Sequence, residues 1–138
     1  MMKTLVMFYS YTGKTRTVAN KIAVEENADI IELKDKTARS KFNAYVLGSI
    51  AARGQKQAEL QPFNTDFSAY DKIIIAVPIW AGYPAPAFNN AVQQLPGGKE
   101  IELVLTSRSG NSKGSSEKTK TLIEAKGSKV IKYQDVKG

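Results

Sequence analysis

The stretch F-Y-S-Y-T-G-K-T-R-T-V-A, Phe8 to Ala19, decides how the rest of the chain is read. Its G-K-T invites a nucleotide-triphosphate loop, in which the pattern G-x-x-x-x-G-K-[ST] lets the backbone wrap around phosphates. The first glycine of that pattern would stand at Phe8, inside an apolar run, so the P-loop is set aside. What remains is a strand, Thr4–Tyr9, a short loop of Ser, Thr and Gly, and a helix with Val18, Ala19, Ile22 and Ala23 on one face. Hydroxyls and bare backbone N–H groups at a helix N-terminus form an anion site without any lysine. Ser10, Thr12 and Thr15 serve equally well as helix caps, and the loop alone leaves both readings open.

The 138 residues imply a single domain over 1–138, long enough for a sizeable core. No apolar run reaches the length of a membrane span or of a signal-peptide core, so a cytoplasmic, membrane-free protein is expected. There is no cysteine and no histidine. Disulfides, thiolate catalysis, a histidine base and a catalytic triad are excluded together. Any chemistry must come from carboxylates, hydroxyls and amines or be borrowed from a ligand, and no catalytic residue or metal site is assigned. The net charge of +7 gathers towards the C-terminus, where Arg108, Lys113, Lys118, Lys120, Lys126, Lys129, Lys132 and Lys137 face only Glu117, Glu124 and Asp135. Nucleic-acid readers interleave such runs with aromatics that stack on bases, and here only Tyr133 does so; nucleic acid is not an expected partner. A solvated basic face is the simple reading; an acidic protein partner or an anionic cofactor is the sharper one.

Strands are expected at Thr4–Tyr9, Ile30–Leu33, Lys72–Val77, Ile101–Thr106 and Lys129–Tyr133, with helices near Lys14–Glu26, Ser40–Arg53, Pro86–Leu95 and Lys113–Lys126. T-L-V-M-F-Y and K-I-I-I-A-V are almost continuously apolar, as strands covered on both faces are. The third helix aligns Phe88, Ala91, Val92 and Leu95, with Pro86 in its first turn; the last is polar and rests on Leu122 and Ile123. Gln55–Tyr70 reads as irregular. The alternation predicts an α/β fold, a doubly wound, five-stranded parallel sheet with right-handed crossovers. Only Gln134–Gly138 follow the fifth strand, so the last helix of such a fold is expected to be lacking, leaving apolar surface open beside the first helix. Either Lys36–Gln61 covers that face or a second copy does, in a homodimer.

In an open parallel sheet, ligands bind beyond the carboxyl ends of the strands, where the strand order reverses. The loops reaching that edge read S-Y-T-G-K-T, P-I-W-A-G and T-S-R-S-G-N after strands one, three and four. In order, strand context and spacing these loops resemble the flavodoxin family. Ser10, Tyr11, Thr12, Gly13, Lys14 and Thr15 are similar to its FMN phosphate loop, [ST]-x-T-G-x-T. Pro78, Ile79, Trp80, Ala81 and Gly82 are similar to its first flavin loop, and Thr106, Ser107, Arg108, Ser109 and Gly110 stand where its second lies. The resemblance reaches up to the fifth strand. It implies FMN as cofactor and the strand order of that family, 2-1-3-4-5.

Roles follow from the same resemblance. The FMN phosphate would meet the amides from Tyr11 to Thr15 and the hydroxyls of Ser10, Thr12 and Thr15, with Lys14, at a variable position, pointing into water. Trp80 would stand as a plate against the isoalloxazine ring, and Ala81 and Gly82 would let the backbone approach it. Y-P-A-P, from Tyr83, reads as a stiff connection into the third helix. The implied activity is low-potential electron transfer between redox partner proteins. An FMN-dependent NAD(P)H oxidoreductase and a flavodoxin-like interaction domain that has lost its flavin are the alternatives. Two features depart from the family: Arg108 in a glycine-poor second flavin loop, and a basic chain of pI about 9.6 where relatives are typically acidic. Positive surroundings favour reduced, anionic FMN, so its two-electron-reduced state is expected to be less disfavoured here than in acidic relatives. Partners are expected to dock through acidic surfaces, and more weakly as salt is added.

Overall fold

The computed structural model describes residues 3–34 and 66–137. In chain order it contains β1 (Thr4–Phe8), α1 (Lys14–Glu26), β2 (Asp29–Glu32), β3 (Lys72–Trp80), β4 (Tyr83–Pro84), α2 (Ala87–Gln94), β5 (Glu100–Ser107), α3 (Ser116–Ala125) and β6 (Lys129–Lys137). The strands pair in the order β2-β1-β3-β5-β6, all parallel, which is the order 2-1-3-4-5 that the resemblance implied. The two-residue β4 was not foreseen. It pairs antiparallel with the end of β3 and makes the sheet six-stranded.

Side-chain alternation along the strands splits the apolar runs between two layers. Leu5, Met7, Ile73, Ile75, Leu103 and Leu105 point to the layer of α2 and α3, against Phe88, Ala91 and Ile123. Val6, Phe8, Ile74, Ala76 and Val104 point to the layer of α1, against Ala19 and Ala23. Both faces of β1 and β3 are thus covered, which is why their sequences run apolar without a break. Each such buried side chain contributes about 1.5–3 kcal/mol. Asn27, at φ 51°, stops α1 in a Schellman arrangement: the Ala28 N–H donates to the Ala23 carbonyl at 2.9 Å and the Asn27 N–H to that of Val24 at 3.3 Å. The chain then turns straight into β2.

The face beside α1 differs from the expectation of open apolar surface. A groove of about 360 Å³ runs there, and its lining mixes Val18, Ile22 and Val136 with Glu26, Glu102 and Lys132. Glu102 is only 5% exposed, yet it takes a position in β5 that an apolar residue would ordinarily fill. It pairs with Lys72 at 3.2 Å and with Lys132 at 3.7 Å, while Lys72 also reaches Glu26 at 3.0 Å. Burial works against the Lys72 ammonium, but its hydrogen bonds to Glu26 and Glu102 outweigh it and hold the pKa above the ordinary lysine value. The expected helix Ser40–Arg53 and the segment Lys36–Gln61 lie outside the described residues. No helix among the described residues is long and apolar enough to cross a membrane.

Candidate functional site

The loops after β1, β3 and β5 leave the same edge of the sheet, because parallel neighbours end side by side. In the first loop the Ser10 hydroxyl accepts the Gly13 N–H at 3.0 Å and draws S-Y-T-G into a tight turn. Gly13 closes it at φ 98°, where a Cβ would be strained. As the residue preceding α1, Gly13 offers no side chain, so no cap takes the N–H groups of the helix's first turn. The Ser10 oxygen thus shapes the loop and does not cap the helix, while its own proton stays available to donate. Thr15, in that first turn, is 2% exposed, and its hydroxyl meets that of Thr106 at the end of β5 at 2.7 Å. This bond joins the first loop to the third.

The second loop is a hairpin. Ile79 pairs with Pro84 and Trp80 with Tyr83, leaving Ala81 and Gly82 as a two-residue turn at φ 53° and 86°. Positive φ at both centres is the primed-turn geometry that matches strand twist. Y-P-A-P therefore begins by folding back on β3, with the Ala85 N–H donating to the Pro78 carbonyl at 2.9 Å, before it enters α2. The X-G pair between Trp80 and Tyr83 was the available signal for this hairpin. The half-buried Trp80 ring sits edge-on between Tyr9 and Tyr11, with centroids 5.9 and 6.1 Å away and interplanar angles of 80° and 87°.

The third loop is pinned by its own serine. Ser107 accepts the N–H groups of Gly110 at 3.0 Å and Asn111 at 3.3 Å. Gly110, at φ 68°, lies against Lys137, where an added Cβ would come within 3.1 Å of the lysine Cβ. Further on, the buried Ser112 hydroxyl donates to the Asp135 carboxylate at 2.6 Å and also bonds the Tyr133 hydroxyl, tying the loop to β6. Arg108 projects from this loop and is exposed.

Between the three loops lies a cleft of about 490 Å³. From the first loop Tyr11, Thr12, Lys14 and Thr15 line it; from β3, Pro78, Ile79 and Trp80; from β5 and its loop, Thr106, Ser107 and Arg108. The remaining residues singled out from the sequence have other places. Ser10 and Gly13 shape the first loop, Ala81 and Gly82 make the hairpin turn, and Ser109 and Gly110 shape the third loop, with the Ser109 hydroxyl donating to the Asn111 carbonyl. Among the described residues the lining includes the cations Lys14 and Arg108 and no carboxylate, and the uncapped end of α1 opens beside it. All three features favour a bound anion. A phosphate at the helix end with a planar aromatic group beside Trp80 is what this donor set and wall chemistry fit.

Comparison with known proteins points the same way. No family model matches the sequence, and no curated protein is similar to it. Solved structures are. A flavoprotein from Lactobacillus acidophilus NCFM, crystallised in complex with FMN, superposes with a TM-score of 0.80 at 26% identity, over 96% of this chain and 92% of the other. The apo-form of the Lactobacillus acidophilus flavoprotein, solved by NMR, gives 0.74 at 25% identity, over 98% and 93%. A flavodoxin from Streptococcus pneumonia TIGR4 shares the fold at a TM-score of 0.56 and 14% identity, over 98% and 86%. The FMN expected from the sequence agrees with the first of these. By strand order and by these neighbours, the chain has the flavodoxin-like fold, and it is similar over nearly its whole length to a flavoprotein that binds FMN.

Proposed function

We propose that the cleft binds one FMN per chain and that the protein carries electrons between partner proteins in the cytoplasm. The observation behind this reading is the cationic end of the cleft: Lys14, Arg108 and the uncapped start of α1 stand together, next to the aromatic wall of Trp80 and Tyr11. The FMN phosphate takes the helix end, held by the first-turn amides and the hydroxyls of Thr12 and Thr15. Lys14 and Arg108 offset its charge, and Pro78, Ile79, Trp80 and Ser107 flank the flavin ring. When bound, FMN supplies reversible one- and two-electron transfer. The chain's own residues bind and orient it and keep water from one side of it. A chain without histidine or cysteine suits this division of labour, since electron transfer asks no side chain to act as acid or base. The basic C-terminal third favours acidic redox partners, docked near the exposed edge of the cleft.

The test is the visible spectrum of protein purified without added flavin, followed by FMN titration read through Trp80, the one tryptophan in the chain. A yellow protein, or quenching that saturates at one FMN per chain, is expected. Turnover of NAD(P)H by the purified holoprotein alone would move the reading to an oxidoreductase. Failure to bind FMN would leave an interaction domain.

A further inference from the structure

The hydroxyl pair at the base of the cleft has a proton to spare. Thr15 and Thr106 are 2% and 4% exposed, and their oxygens are 2.7 Å apart. Two hydroxyls bring two protons, and the bond between them uses one, whichever oxygen donates. Among the described residues neither hydroxyl makes a further hydrogen bond. Both residues line the cleft, so the remaining proton has the cleft as the place to find its acceptor. The first-turn amides of α1, Lys14 and Arg108 beside it are donors as well, and the Tyr11, Thr12 and Ser107 hydroxyls can donate too. An anionic ligand, which accepts from all of them at once, completes this set.

We propose that Thr106 is a positioning residue for phosphate recognition: by bonding Thr15 from a different strand, it holds the Thr15 hydroxyl so that the pair presents its free proton to a phosphate. The pair then discriminates phosphorylated flavin from flavin without a phosphate, and it couples the phosphate loop to the loop that carries Arg108. This rests on the FMN reading of the cleft. Thr106→Val keeps the shape and removes the hydroxyl, orphaning Thr15 in a buried place.

The experiment measures FMN and riboflavin affinity through Trp80 fluorescence for the wild type, Thr106→Val, Thr106→Ser, Thr15→Val and the double Thr15→Val/Thr106→Val variant. Thr106→Val is expected to weaken FMN roughly tenfold, the cost of one hydrogen bond to a charged group, while riboflavin changes by less than about twofold. Thr106→Ser should restore FMN binding. The double variant should lose no more than about the worse single one, because both act on one relay. Equal losses for FMN and riboflavin, additive losses in the double variant, or no rescue by serine would overturn the inference while leaving FMN binding intact. A wild-type protein that binds neither flavin would overturn the FMN reading and this inference with it.

Discussion

Glu102 offers a sharp test of how this sheet manages the face beside α1. Its carboxylate lies 3.2 Å from the Lys72 ammonium, with side chains 6% and 16% exposed. At an effective dielectric of about 20 the direct attraction is about 5 kcal/mol, before the cost of desolvating both groups is subtracted. Lys132, whose side chain is 60% exposed, adds little. Replacing Glu102 by Leu removes one partner, but Lys72 keeps Glu26 at 3.0 Å. The expected loss is therefore about 2 kcal/mol, below the roughly 3–5 kcal/mol of a fully orphaned buried charge. Lys72→Met should cost more, about 3 kcal/mol, since it leaves the deeper group with only an exposed partner. The double variant Glu102→Leu/Lys72→Met joins two apolar side chains and should return to within about 1 kcal/mol of the wild type. Urea unfolding at neutral pH measures all four proteins. A double variant as unstable as the two losses summed would refute the reasoning, because it would show the strip to be stabilised by something other than this pair.

The same residue predicts a pH effect whose sign follows from linkage. The folded Lys72 pKa is raised, so its contribution is fully present below the unfolded value near 10.4 and is lost as pH rises through the folded one. Tyr70, held up by its hydrogen bond to Asp29, and Tyr133, held up by burial, lose stability in the same alkaline range. They are common to both proteins, so comparing Glu102→Leu with the wild type isolates Lys72. The variant should show the shallower alkaline loss.

Other expectations concern the loops. Ala81→Gly should raise the unfolding free energy by roughly 0.5 kcal/mol, the relief of a left-handed alanine less the entropy of glycine, and Gly82→Ala should lower it by about 1 kcal/mol; urea unfolding that leaves Ala81→Gly unchanged would mean the turn carries no strain there. Arg108→Gln should lower the two-electron potential of the bound flavin by about 20 mV, as an exposed charge worth up to about 1 kcal/mol would. A spectroelectrochemical titration with no shift would place Arg108 in water, away from the ring.

Much of the fold was legible because burial on both sides leaves so plain a mark. T-L-V-M-F and K-I-I-I-A-V are strands at the centre of the sheet, and α1 begins and ends at Lys14 and Glu26, where glycine and a left-handed asparagine bound it. The hairpin was missed because Pro78 and Pro84 suggest an end to pairing, yet β4 is a short outer strand where proline is tolerated. The strip beside α1 was missed for the opposite reason. A missing cover implies exposed apolar surface only if the strands stay apolar, and Glu102 and Lys132 break that condition one residue at a time. In the cleft, the sequence marked each described lining residue, but it did not show the bonds by which marked residues also hold the loops. The Ser10 oxygen also closes its own turn by accepting the Gly13 N–H, a bond the sequence did not show.

The hydroxyl bonds explain how loops with few apolar side chains keep a fixed shape. Ser10 ties the first loop to itself, Thr15 ties it to β5 through Thr106, and Ser107 closes the third loop. Ser112 fixes the far end of that loop to β6, and because its one proton goes to Asp135, it is Tyr133 that donates to Ser112. A loop fixed by apolar packing has to bury its side chains, whereas these serines and threonines hold the backbone and leave the amides of the cleft open. Of these ties, the Thr15–Thr106 pair is the one that joins two cleft-lining loops and leaves a proton between them. Stability and ligand recognition should therefore separate there: a substitution at Thr106 reaches the ligand, whereas Tyr133→Phe strips a donor from the same loop's far anchor and should cost stability with little change in phosphate selectivity. Paired measurements of unfolding free energy and FMN-to-riboflavin selectivity on these two variants test that division, and loss of selectivity in Tyr133→Phe would show that the loop's ties act as one unit.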